Sequence, residues 1–330
     1  MAHMTAGAQR MERHQVALYL VALAVSAVAG LLFPVLAHPA ETAINPVLGL
    51  LLYVTFLGVP FGRLRLAFRD WRFLATLMVV NFVLVPVVVF ALSRIVAHDQ
   101  VLLIGVLFVL LTPCVDYVIV FAGLAGGSRD RLLAAAPLLM LAQILLLPAY
   151  LWLFVGGEFV QAVDLRPFAE AFLLLIVLPL ATAGLTQLAA ARTRWGRVLE
   201  GVGMAAMVPL MMITLAVVVT SQIAGVGQQI TSLLLAIPVY LLFAAVMVPV
   251  GMLAGTAARL DVPAKRTVVF SGATRNSLVV LPLALALPAA FDLAPLVVVT
   301  QTLVELVVMV VFVRLIPRLL PVKAPRLNAA

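Results

Sequence analysis

The stretch LLTPCVDYVIVF, residues 110–121, places a proline, the chain's only cysteine and an aspartate inside an apolar run from Val101 to Leu124. The run is long enough to cross a bilayer, because a transmembrane helix needs about 20 apolar residues. Proline removes a backbone donor and clashes with the preceding turn, so carbonyl groups near residue 109 lose their partners. Such groups cannot face lipid, and the segment is therefore expected to line protein or a water-filled cavity.

The composition of the chain also indicates that it lies in a lipid bilayer. Of the 330 residues, 65% are hydrophobic and 10% are charged, whereas a soluble domain carries about 25% charged residues. Only lipid can cover so much apolar surface, and we predict an all-α polytopic membrane protein. The net charge of +8 is assigned to cytoplasmic loops and not to nucleic-acid binding.

Several chemistries are excluded by what the sequence lacks. One cysteine rules out an internal disulfide and a metal site with several thiolates, and the four histidines have no metal-binding spacing. Neither lysine follows a glycine, so there is no Walker A loop to bind ATP. We expect no cofactor and no enzymatic activity.

Ten apolar segments are long enough to span the membrane. They cover residues 16–37, 43–61, 73–93, 101–125, 132–156, 167–191, 201–222, 230–256, 266–290 and 293–317. With the N-terminus inside, 18 of the 21 arginines and lysines fall in cytoplasmic segments, as the positive-inside rule requires. We therefore predict ten spans with both termini cytoplasmic, and the charge bias suits a bacterial inner membrane.

The ten spans divide into two sets of five, in which spans 3 and 4 correspond to spans 8 and 9. Because five is odd, the second set enters the membrane in the opposite orientation, which is the inverted-repeat plan of secondary transporters. The predicted domains are a cytoplasmic tail over 1–15 that is partly an expression scar, a first repeat over 16–156, an inverted repeat over 167–317 and a cytoplasmic tail over 318–330.

Transporters of this plan bind their cargo at mid-membrane, where helices at corresponding positions in the two halves are broken. Span 4 is expected to break at Pro113, and span 9 contains SGATRNS, residues 271–277, with the helix-weakening Gly272. Polar side chains beside these breaks are the substrate-binding candidates: Thr112, Cys114, Thr274, Arg275 and Asn276. Supporting polar candidates are Asn81, Gln143 and Ser271, the first two as interhelical hydrogen-bonding groups.

Three ionisable residues lie at membrane depth: Asp116 in span 4, Arg275 in span 9 and Glu305 in span 10. An Asp or Arg there costs about 2.5–3.5 kcal/mol and by default marks a functional site. If all three are ionised, one carboxylate lacks a cation, and a carboxylate removed from water takes up a proton more readily. We predict that Asp116 or Glu305 carries a transported proton. The alternative is an inert ion pair between Asp116 and Arg275.

These residues resemble those of the superfamily that contains the bile acid:sodium symporters and the arsenical-resistance (arsenite) permeases. The stretch PCVDYVIVFAGLAGGS, 113–128, is similar to the fourth helix of the permeases, where a cysteine precedes an LAxG tetrad. YVTFLGVPFGRLR at 53–65 resembles their second helix, and Gln143 before ILLLPAYLWLF resembles their fifth. LVELVV at 303–308 resembles their tenth helix. ATRNSLVVLPLALA, 273–286, is closer to the symporter branch.

The resemblance implies that spans 4 and 9 unwind and cross at mid-membrane, and that a core domain moves against a panel domain. Symporters of this superfamily hold sodium with polar groups on the crossing helices. The matching serine and asparagine positions are Val118 and Ile119 here, the glutamate position is Ser271, and the glutamine is Arg275. An arginine there supplies a fixed cation, which favours protons over sodium. The ninth-helix glutamate of the permeases falls at Leu278.

The predicted function is a secondary active transporter that exports arsenite or a related metalloid in exchange for protons. Arsenite is mostly a neutral trihydroxide near neutral pH, and it is attracted to thiolates, so Cys114 is the predicted transient metalloid ligand. The alternative is a carrier of a small organic anion, a carboxylate or a bile-acid-like solute, coupled to protons or sodium. Arg275 and helix N-termini would then bind the anion. A non-transporting membrane receptor is a third reading.

Overall fold

The computed structural model describes residues 6–58, 68–115, 117–155, 170, 172–228 and 233–322. Within these ranges the chain is helical, apart from short connections and one isolated bridge between Pro113 and Arg275. Numbered to follow the ten predicted spans, the helices are α1 (Ala6–Leu32), α2 (Ala37–Gly58), α3 (Trp71–Val79, a π turn at Val80–Leu84, then Val85–Ser93), α4a (Gln100–Leu110), α4b (Tyr117–Leu124), α5 (Arg129–Val155), α6 (a π turn at Leu173–Val177, then Leu178–Arg192), α7 (Arg194–Gln228), α8 (Ala236–Ala257), α9a (Val262–Ala273), α9b (Ser277–Leu285) and α10 (Leu293–Leu319).

In the described part of the chain, seven helices are long and apolar enough to cross a membrane: α2, α3, α5, α6, α7, α8 and α10. The apolar part of α1, Ala17–Leu32, and helix α4a are shorter, and span 9 consists of two half-helices. The prediction of an all-α membrane protein is confirmed. The count of ten spans, the inverted repeat, its boundaries at 16–156 and 167–317 and the sidedness of the termini stay predictions.

The helices pack in two groups. Helices α1, α2, α6 and α7 contact one another and form what we call the panel, whereas α3, α4a, α4b, α5, α8, α9a, α9b and α10 form the core group. The two groups meet where α7 contacts α10 and where α9b contacts α2. Buried side chains concentrate in α4a, in α9a and in the first half of α10, so their neighbours shield these segments from the surface.

The two interrupted helices of the core group cross at their breaks. Helix α4a ends at Leu110, and α9a ends at Ala273. Between the half-helices the chain runs in short extended segments that pair antiparallel: the Asn276 N–H donates to the Thr112 carbonyl at 2.8 Å, and the Cys114 N–H donates to the Thr274 carbonyl at 3.3 Å. These two bonds give buried backbone groups the partners that the interrupted helices cannot supply.

The break in span 9 begins later than the sequence placed it. Gly272 lies inside α9a, and the interruption covers Thr274 to Asn276. The glycine serves close packing instead, because a Cβ there would lie 2.9 Å from Val80 Cγ1 of α3. The turn into α9b is stabilised by the Asn276 side chain, whose oxygen accepts from the Val279 N–H at 3.3 Å, as an N-cap residue does.

A π turn in α3 directs a polar side chain into the core group. Pro86 has no N–H to offer the carbonyl of Phe82 four residues earlier, and the Tyr150 hydroxyl from α5 donates to that carbonyl at 2.5 Å. The π turn at Val80–Leu84 precedes this proline, and Asn81 within it is fully buried. Turns of this type are frequent at functional sites.

Candidate functional site

Glu305 is the buried carboxylate of the site. It lies on α10, is 4% exposed, and accepts three hydrogen bonds from the region of the crossing. The backbone N–H of Arg275 donates to it at 2.7 Å and the Tyr117 hydroxyl at 2.5 Å, and the side-chain amide of Gln301 also donates to it. Every donor is neutral, so the carboxylate is held by hydrogen bonds and has no cation paired with it among the described residues.

The Arg275 guanidinium makes no salt bridge with Glu305 among the described residues, although the backbone N–H of Arg275 donates to that carboxylate. Its Nη2 lies 2.6 Å from the Ser271 carbonyl, 2.8 Å from the Gly272 carbonyl and 2.8 Å from Asn81 Oδ1. Its Nη1 is 3.4 Å from the Leu110 carbonyl. The side chain is fully buried, and its acceptors are thus neutral oxygens from α3 and from the ends of α4a and α9a.

Asn81 and Ser271 connect α3 to this arrangement. The Asn81 amide donates to Ser271 Oγ at 3.0 Å and to the Leu77 carbonyl at 3.0 Å, while its oxygen accepts from Arg275. The prediction placed both residues in a supporting polar role, and the structure brings both to the guanidinium. The guanidinium carbon also lies 5.5 Å from the centre of the Phe243 ring, within the range of a cation–π contact.

The remaining polar candidates lie in the crossing segments themselves. Thr112, Cys114, Thr274 and Asn276 are all fully buried. The Thr112 and Thr274 hydroxyls donate to the Phe108 and Phe270 carbonyls of their own helices, at 2.9 Å and 2.6 Å. The Asn276 amide nitrogen has no hydrogen-bond partner among the described residues, so it is a buried donor that a solute or a water can use.

Two small cavities flank the crossing. One lies within the core group beside Glu305, Gln301 and Tyr240, and the other lies between the core group and the panel beside Thr112 and Gln143. Each cavity has roughly the room that one water molecule requires. The Gln143 side-chain oxygen is buried without a partner among the described residues.

One candidate residue of the predicted site is not described by the structure. Asp116 lies outside the described residues, so its proposed roles in proton transfer and in an ion pair with Arg275 stay predictions. Among the described side chains, the only ion pairs join Arg131 to Asp70 at 3.2 Å and to Asp261 at 2.5 Å. No group of three or more His, Cys, Asp or Glu residues in the described ranges is arranged to hold a metal ion.

Sequence reasoning missed two of the three donors to Glu305. Gln301 carries a readable signal, because it precedes Glu305 by four residues and thus shares its face of α10. Tyr117 begins α4b immediately after the interruption, and nothing in its sequence position indicates a contact with α10. A third missed residue is Phe243 of α8, whose apolar character predicts only burial.

Comparison with known families connects this geometry to transport. The model of the Sodium Bile acid symporter family matches residues 45–233, more than half of the chain. The match includes α4a, α4b and the crossing segment between them, and it ends before α8 begins. A search of curated proteins found no match. The chain is therefore a multi-pass membrane protein of the Sodium Bile acid symporter family, whose members are transporters and not enzymes.

Proposed function

We propose that this protein is a proton-coupled secondary transporter that exports arsenite or a related small neutral hydroxide across the bacterial inner membrane. The observation that carries the proposal is the buried Glu305 carboxyl, which is bonded by three neutral donors directly at the crossing of two broken helices. The crossing supplies a mid-membrane site, and the carboxyl supplies a group that can carry a proton.

The crossing suits alternating access because its backbone is not closed into a helix. Irregular backbone at membrane depth is tolerated only where it is buried in protein or lines a water-filled cavity. The paired segments around Pro113 and Arg275 are buried, and small cavities lie on both sides of them. A movement of the core group against the panel would open the cavity beside Thr112 and Gln143, because Phe172 and Ile176 close it from the panel side.

We assign proton coupling to Glu305 because its surroundings favour the protonated and the ionised form through opposing influences. Burial favours the neutral carboxylic acid, whereas the three hydrogen-bond donors favour the carboxylate. Opposing influences of this kind let a group bind and release its proton as its hydration changes during a transport cycle. Asp116 stays a second candidate for the same role.

The assignment of cargo rests on what the crossing offers a solute. The Arg275 guanidinium already donates to four oxygen atoms, which leaves few of its N–H groups for a carboxylate. The cavity between core group and panel is small and mostly apolar, with Thr112 and Gln143 as its polar groups. Arsenite is small and uncharged enough for such a cavity. Cys114 can bind it by forming a sulfur–arsenic bond, while the thiol proton and one arsenic hydroxyl leave together as one water and no oxidation state changes.

A carrier of organic anions is the second candidate function. It is favoured by the family description, which names bile acids, and by the Arg275 Nε atom, which is buried without a partner among the described residues. On this reading, an anion in the opened site would be bound by that N–H, and Cys114 would only pack.

The test is uptake of radiolabelled arsenite into everted membrane vesicles under an imposed proton gradient without sodium. We expect gradient-driven uptake by the unaltered protein and at least a tenfold loss in Cys114→Ser. The matched control is Thr214→Ser, an equally conservative change at a fully buried position of α7, which should transport normally. Uptake that is unaffected by Cys114→Ser would refute the thiol as ligand, and saturable uptake of a carboxylate instead of arsenite would support the second candidate.

A further inference from the structure

The end of the Arg275 side chain lies in a cage of oxygen atoms, which we call the oxygen cage. Its members are the carbonyls of Leu110, Ser271 and Gly272 and the side-chain oxygen of Asn81. They come from three helices, α3, α4a and α9a, that approach one another only in the folded core group. All four oxygens belong to neutral groups.

Two features of the oxygen cage indicate that it is built for positive charge. Leu110 is the last residue of α4a, and Ser271 and Gly272 lie in the last turn of α9a, so the cage collects the negative ends of two helix dipoles. In addition, Nη2 has two N–H groups but three oxygens within 2.8 Å. The acceptors outnumber the hydrogens at that atom, as expected where the charge itself, and not directional hydrogen bonding alone, holds the oxygens together.

Unwound carbonyls and C-terminal ends of half-helices are the groups with which transporters of this plan coordinate mobile cations. Among the described residues, no carboxylate contributes to the cage, and Glu305 accepts from the backbone N–H of Arg275 without a salt bridge to its guanidinium. One positive charge is therefore enough to stabilise the four oxygens of the cage at close range to one another. The covalently attached guanidinium supplies that charge without any ion from solution.

We infer that Arg275 is a tethered replacement for a small monovalent cation such as sodium, and that the folded protein neither binds nor requires such an ion at the crossing. The inference deepens the proposed function, because it names the ion that the transport cycle omits and leaves protons to provide the coupling. Its central claim concerns cation binding, so it can be tested without a substrate and without transport.

The experiment is thermal unfolding of the purified, detergent-solubilised protein in sodium chloride, potassium chloride or choline chloride at equal ionic strength. For the unaltered protein we expect the same unfolding temperature in all three salts. Removal of the guanidinium in Arg275→Ala leaves the four oxygens facing a space that a cation can enter. A cation at ten times its dissociation constant multiplies the folding equilibrium constant by about eleven, and we expect sodium or potassium to raise the unfolding temperature of this variant by about 2–5 °C over choline.

Two further variants make the result specific to the oxygen cage. Arg275→Lys keeps a tethered cation and should show no preference among the salts. Asn81→Val in the Arg275→Ala background removes one oxygen and should abolish the preference that the single variant gains.

The inference is overturned if sodium or potassium specifically stabilises the unaltered protein, an outcome that does not depend on any variant folding. It is also overturned if folded Arg275→Ala responds equally to all three salts. Failure of the proposed function is a separate result: a protein that gains cation binding in Arg275→Ala but never transports arsenite would keep this inference and refute the cargo.

Discussion

Replacing Glu305 with glutamine separates the proton-carrying role of the carboxyl from its structural role, because the two side chains have nearly the same size and shape. The carboxyl accepts from Arg275, Tyr117 and Gln301, and a glutamine oxygen can keep some of these bonds. What it cannot do is bind and release a proton. We therefore expect Glu305→Gln to fold and to lose transport driven by a proton gradient.

The expected change in stability can be worked out from these contacts. Hydrogen bonds to a charged group contribute about 1.5–3 kcal/mol each and neutral ones about 0.5–1.5 kcal/mol, so loss of the charge weakens three bonds by roughly 3–5 kcal/mol in total. Removing a buried charge also relieves a desolvation penalty of several kcal/mol. The two effects oppose each other, and we expect the free energy of unfolding to change by less than about 2 kcal/mol.

Tyr117 decides whether the new amide finds an acceptor. Its hydroxyl oxygen lies 2.5 Å from the carboxyl and 3.0 Å from the Arg275 carbonyl, so it can accept from the glutamine N–H and donate to that carbonyl instead. In a Tyr117→Phe background this exchange is impossible, and the unpartnered amide should make Glu305→Gln more destabilising by about 1–3 kcal/mol.

The assay combines denaturant unfolding of the purified variants with uptake into everted vesicles, measured with a proton gradient and as solute exchange without one. Asp292→Asn, an amide substitution of an exposed carboxylate immediately before α10, is the matched control and should behave as the unaltered protein. Gradient-driven uptake that survives Glu305→Gln would refute the proton role of this residue. Equal destabilisation with and without Tyr117 would refute the hydrogen-bond reasoning.

Two further predictions concern the packing of the core group. Gly105→Ala would place a Cβ 2.7 Å from the Cβ of Val297 on α10, so it should destabilise the protein by about 1–3 kcal/mol in denaturant unfolding. The control is Gly184→Ala, whose new Cβ has nothing within 4 Å and which should leave stability unchanged or slightly higher. Similar unfolding free energies for the two variants would contradict the packing. Arg266 is buried and donates to the carbonyls of Ala125 and Leu320, both at 2.8 Å, so Arg266→Met should leave two carbonyls unpartnered and lower the free energy of unfolding by about 2–5 kcal/mol. Arg266→Lys should recover part of this loss, because one ammonium cannot reach both acceptors as a guanidinium does. Full recovery with lysine would refute that geometry.

The helices and the break in span 4 were predictable because their causes act over a few residues. Apolar runs of membrane length indicate helices wherever they occur, and the effect of Pro113 on the preceding turn is local. Gly272 was a weaker signal, since glycine permits a break without requiring one. Its position inside α9a reflects the approach of Val80 from α3, which no local pattern contains.

The candidate site was predictable only as a set of residue types. Arg275, Glu305, Asn81 and Ser271 were singled out because polar groups are costly in lipid, and the structure does bring them together. Their individual partners were not readable from the sequence: among the described residues the guanidinium contacts neutral oxygens, and Glu305 accepts from a backbone N–H. The alternative ion pair between Asp116 and Arg275 stays a prediction.

The sequence alone was enough to predict that the chain lies in a membrane, that it is helical, and that charged side chains lie in its interior. Those properties follow from hydrophobicity and backbone chemistry, which are carried by neighbouring residues. Which atoms contact each charged group is visible only in the tertiary structure. Arg275 meets Leu110 and Asn81 across separations of 165 and 194 residues, and contacts at such distances depend on how the whole core group packs.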